Sequence, residues 1–146
     1  MRRPSTLLLL CAAVLSGCAA SSGMRNLTPE QQAYVDAMMV EPTRFTIPAD
    51  SSDAAWGRAQ AFVGRYSDLK IQTATDYVIQ TYSPTGQNVT YGFNITRTPL
   101  ARGHEFAVDV AAGNMFMGKQ ARMIAGMASR FIRTGFSTMD EGAAAQ

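Results

Sequence analysis

The chain has 146 residues, 47% of them hydrophobic and 16% charged, with a formal net charge of +2. That length suits one domain. The balance excludes a disordered polyelectrolyte, a collagen-like chain, a disulfide-dense scaffold and a many-span membrane protein.

Arg2 and Arg3 open the chain, an apolar stretch covers residues 7–15, and Leu15-Ser16-Gly17-Cys18 follows. A basic start, a short apolar run and small residues at a cleavage point form a secretory signal. The run is well short of the roughly 20 residues of a spanning helix. The Leu-Ser-Gly-Cys tetrapeptide resembles the lipobox of bacterial lipoproteins. The resemblance covers residues 1–18 and implies loss of residues 1–17, a diacyl group of the palmitate kind on the Cys18 sulfur, and an acylated new amino terminus. It implies no activity. Ala19 stands where Asp would favour the inner membrane, so the resemblance points to the outer membrane, with the domain facing the periplasm. Each buried methylene contributes about 0.8 kcal/mol, and two or three acyl chains hold stably where one holds marginally.

Processing removes Arg2 and Arg3, which brings the 13 basic side chains level with the 11 acidic ones. A near-neutral mature chain gives no reason to expect a nucleic-acid partner. Cys11 leaves with the signal and Cys18 carries lipid, so the fold must rest on its core and not on a disulfide. A chain of this size buries about two-thirds of its unfolded surface, which suffices.

Residues 18–27 are expected to be the lipidated cysteine and a flexible tether, residues 28–137 a single α+β domain, and residues 138–146 a disordered tail. Thr28, Pro29 and Gln31 predict a capped helix start, and Pro42 an end after residue 40. Phe45 and Ile47 alternate with polar neighbours and suggest a short edge strand. A second helix is predicted from Ser52 or Asp53 to Tyr66, with Trp56, Ala59, Phe62, Val63 and Tyr66 on one face. The period then switches to two. Leu69, Ile71 and Thr73, and then Tyr77, Ile79 and Thr81, predict two strands or one bent strand. A turn over residues 83–88 precedes Val89, Tyr91, Phe93 and Ile95. A second break, residues 99–103, precedes Phe106, Val108 and Val110. Asn114 is the predicted cap of a last helix over residues 115–134, with Gly135 as its left-handed stop. The order predicts a two-layer α+β sandwich: an antiparallel meander of three or four strands with helices on one face.

The last helix separates its faces. Met117, Ala121, Ile124, Ala128, Phe131 and Ile132 form an apolar stripe. Lys119, Arg122, Arg130 and Arg133 cluster on another side, with no acid among them. This basic face is the candidate surface for lipid headgroups or an acidic partner, weighed against a merely solvated face. Trp56, Tyr77, Tyr82, Tyr91 and Phe93 are candidate pocket aromatics, although a lone tryptophan more often anchors a core. His104, the single histidine, stands near Glu105 and Asp109 but has no second histidine or free cysteine to complete a metal site. The methionines around the last helix suit gap-filling better than copper. Nucleophile-elbow, phosphate-loop and zinc-protease motifs are absent from the sequence.

The expectation is therefore a membrane-anchored envelope lipoprotein. Its small domain is non-enzymatic and serves as a binding or accessory module of an envelope assembly. No catalytic, metal or cofactor residue is assigned. The alternative is a module that binds a lipid, a glycan or a small hydrophobic molecule. A small envelope hydrolase ranks third.

Overall fold

Three helices and five antiparallel strands build the domain in the computed structural model, which describes residues 27–86 and 90–136. In chain order these are α1 (Pro29–Val40), β1 (Arg44–Pro48), α2 (Ala49–Tyr66), β2 (Ile71–Ala74), β3 (Val78–Thr81), β4 (Tyr91–Leu100), β5 (Gly103–Ala112) and α3 (Gly118–Thr134), with a single 3-10 turn, Met115–Met117, before α3. The predicted signal segment, Cys18, most of the predicted tether and the predicted tail at residues 138–146 lie outside the described residues, as does part of the predicted 83–88 turn.

Local chemistry sets the helix ends. The Thr28 hydroxyl accepts from the Gln31 amide, and the Gln31 side-chain oxygen accepts from the Thr28 amide, which completes a capping box. The Glu30 carboxyl is held below its usual range by its own backbone amide first and by the Thr28 hydroxyl second. Gly135 closes α3 at φ 77°, and its amide donates to the Phe131 carbonyl. The predicted start of α2 at residue 52 or 53 is too late. Pro48, at φ −57°, ends β1 and feeds the helix directly, so Asp50 falls in the first turn and Asp53 does not cap.

The sheet has the order β1-β5-β4-β3-β2. The expected meander is present, and β1 adds the fifth strand by pairing Arg44–Pro48 with residues 107–103. The predicted break at residues 99–103 shrinks to a two-residue hairpin, because β4 continues through Pro99 to Leu100. The Arg97 amide donates to Tyr77 on the β3 side, so the nitrogen of Pro99 faces that same side. β3 pairs β4 only at residues 94–96, so Pro99 lies past its end and forfeits no hydrogen bond. Gly103 takes φ 148° and lies against the Ile47 carbonyl, where a Cβ has no room.

Strand alternation sends Phe93, Ile95, Phe106 and Val108 inward, where α2 and α3 cover one face of the sheet. Phe62, Phe106, Ile79, Ile95 and Ile132 form the centre of the core. α1 packs mainly on α3, with its buried Met38 against Gly126, whose missing Cβ lets the two backbones touch. The other sheet face carries Gln80, Asn94, Thr96, Thr98 and Asp109 and has no helix over it among the described residues.

Candidate functional site

One open feature of the described residues arises from a mismatch of strand lengths. β5 has ten residues and β1 has five. Their pairing ends with the Val108 amide donating to the Thr43 carbonyl at 2.8 Å. Backbone groups alternate sides along a strand, so the N–H and C=O of Val110 and Ala112 also point toward this edge. They have no backbone partner among the described residues, while the neighbouring Gly113 amide bonds to Thr90 on the β4 side. A cleft of about 510 Å³ runs between this free edge and α3, whose wall is made of Gly118, Ala121 and Ala125 together with Arg122. A sheet edge with unsatisfied donors and acceptors beside small side chains can pair with an extended backbone.

The predicted basic face does not stay together as one free surface. Arg122 donates to the Met38 carbonyl at 3.3 Å and to the Glu41 carbonyl at 2.7 Å. Arg133 pairs with the Glu41 carboxylate and lies over the Phe45 ring at 5.8 Å. Both therefore close the C-terminal end of α1, where unpaired carbonyls carry partial negative charge and the helix has no basic residue of its own in the last turn. Lys119 is exposed and lines a cleft of about 240 Å³ with Gln32, Val35 and Asp36 of α1. Arg130 is half-buried.

The five candidate aromatics do not line one pocket. Trp56 is buried, its ring 6.2 Å from that of Phe106, and Phe93 meets Phe62 edge-on in the core. Tyr91 is partly buried on the helix side of the sheet, and desolvation raises its phenol above the usual range. Tyr77 is exposed and lies over the Arg97 guanidinium. Tyr82 is exposed beside a second, smaller cleft that the backbone at Phe93 also borders.

Arg97 was missed from the sequence. It follows Tyr91, Phe93 and Ile95 on the inward parity of β4, so its side chain enters the helix side, 10% exposed. Its guanidinium lies against the rings of Trp56 (5.3 Å) and Tyr77 (5.9 Å). It donates to Asp53 at 2.6 Å and to the Asp76 carbonyl at 2.8 Å. Parity was the available signal.

The same parity divides His104 from its expected carboxylates. His104 faces inward with a buried, unpartnered Nδ1, while Glu105, on the opposite face, pairs with Arg44. Asp109 also lies on the opposite face. Among the described residues no three His, Cys, Asp or Glu side chains gather as a metal site. Met117 and Met127 are buried core side chains. No helix among the described residues is long and apolar enough to cross a membrane. Comparison with family models, with curated proteins and with solved structures finds no match for the chain.

Proposed function

We propose that the chain is a lipid-anchored accessory lipoprotein of the bacterial envelope, whose domain captures an extended segment of a partner protein by strand addition along β5. The lipobox resemblance at Cys18 supports the address, with the outer membrane favoured by Ala19. The free N–H and C=O groups of Val110 and Ala112 beside the 510 Å³ cleft carry the binding mode. An incoming strand continues the line of β1. It turns apolar side chains toward Ala121 and Ala125, as β1 turns Phe45 and Ile47, and polar ones to water. The reading assigns the domain no catalysis.

The test uses the full chain with its signal intact, tagged at the C-terminus and crosslinked in envelopes. The substitution Ala112→Pro deletes one edge N–H without touching the β4 ladder, since edge strands tolerate proline on their free side. The reading expects a partner crosslinked at residues 108–112 whose capture Ala112→Pro abolishes while the domain stays folded. Capture that is indifferent to Ala112→Pro contradicts strand addition. The address is tested separately: Cys18→Ser is expected to release the chain from the membrane fraction, and retention there contradicts lipid anchoring.

A further inference from the structure

The open face of the sheet holds a second recess, of about 250 Å³, on the side of β5 away from the cleft beside α3. Its base is a row across three strands. Gln80 lies opposite Asn94, and Asn94 opposite Asp109, so two amides and one carboxylate stand side by side about 4.8 Å apart. None of the three side chains has a hydrogen-bond or ion-pair partner among the described residues. Pro84 packs onto Gly92, where a Cβ would meet the Pro84 Cδ at 2.7 Å, and the two together wall one end of the recess. Tyr82, 53% exposed, forms the aromatic side.

We infer that this recess binds a neutral pyranose ring of a glycan. Two amides and a carboxylate give donors and acceptors in alternation, which pair with neighbouring hydroxyls acting both ways. The tyrosine ring offers an apolar face to the C–H side of a sugar and a hydroxyl at its tip. The volume lies below the roughly 300–1,000 Å³ of sites for drug-sized ligands, so it suits one ring. Asp109 is the single charged group of the row, and it selects against anionic ligands such as phosphates and uronates. This site differs from strand capture at the β5 edge in using the opposite face of the sheet and side chains instead of backbone, while Asp109 and Val110 border both recesses.

The test titrates the full, ¹⁵N-labelled chain in detergent with glucose, galactose, mannose and N-acetylglucosamine, and with glucuronate as the anionic counterpart. At least one neutral sugar is expected to shift the amides of Gln80, Tyr82, Asn94 and Asp109 with a Kd on the order of 1 mM. Tyr82→Ala and Asp109→Ala should each weaken it by about tenfold or more, in a chain whose remaining spectrum is unchanged. Ala112→Pro should leave it intact. Three results overturn the inference: no saturable shift with any neutral sugar, equal binding of glucuronate, or shifts that survive both substitutions.

Discussion

Arg97 stands where the alternation of β4 asks for an apolar side chain, and its surroundings explain how a charge is kept there. The Trp56 and Tyr77 rings lie against the guanidinium, the Asp76 carbonyl takes one N–H and Asp53 another. The two ends of the ion pair are unequal. Asp53 is 93% exposed on its side chain and rehydrates when released, whereas Arg97 is 10% exposed and cannot be removed without leaving a gap and an unpaired carbonyl. Asp53→Asn is therefore expected to cost less than about 1 kcal/mol, and Arg97→Ala about 2–4 kcal/mol, as read by urea denaturation. Equal costs would contradict this division. Tyr91 gives a second prediction at this scale. Burial raises its phenol, so the unfolded chain ionises first as pH climbs. Its contribution to stability is intact below the ordinary phenol value near pH 10 and is lost as pH rises through the folded value. Tyr91→Phe is expected to flatten that alkaline loss, which a series of unfolding midpoints against pH detects.

At the scale of elements, the contact between α1 and α3 decides what the basic face does. Gly126 lies amid the cations of α3, and the backbone at Met38 occupies the place of its Cβ. Arg122 then reaches the last carbonyls of α1, and Arg133 reaches Glu41. Gly126→Ala is expected to destabilise by about 1–3 kcal/mol or more, because neither backbone can yield. Gly57→Ala, in open space within α2, is expected to stabilise by about 0.5–1 kcal/mol. Opposite signs in thermal unfolding confirm the close approach; two stabilising alanines refute it. Arg122→Lys should fail to replace arginine, since a single ammonium does not fork to two carbonyls as a guanidinium does. Loss of a partner on changing Arg122 or Arg133 thus reports on the seating of α1, and Lys119 is the cation of this face that tests a surface role.

These elements also show what a sequence makes legible. Helix ends were readable to the residue at Thr28 and Gly135 because capping is settled within four residues. The apolar parity of β4 and β5 was readable because burial imposes a period of two. The seat of α1 was not, since placement around a helical wheel says which residues share a face and not whether that face meets water or another helix; Gly126 among the cations was the one local sign. The cleft beside β5 was half-legible. The prolines at 42 and 48 bound a short β1, but its partner lies some sixty residues away, and only that pairing reveals how much of β5 is left uncovered. The pocket drawn from five aromatics failed for the same reason: parity and position send Trp56 and Phe93 into the core and Tyr82 to the opposite face.

Taken whole, the described residues cover one face of the sheet with helices and leave the polar face open; besides the outer edges of β1 and β2 they leave the unfinished edge at β5. Exposed edges invite pairing, and soluble proteins usually blunt them with charge, proline or a bulge. Here β1 shields half of β5, and the rest faces a cleft between strand and helix instead of open water, which limits access to a single extended segment. The most direct measurement is amide hydrogen exchange on the full chain, alone and crosslinked to its captured partner. The account predicts fast exchange at Val110 and Ala112 in the isolated chain, beside slow exchange at Asp109 and Ala111, which bond to β4, and then protection of Val110 and Ala112 in the complex. Slow exchange at Val110 and Ala112 in the isolated chain, or no gain of protection at these two residues in the complex, would contradict it.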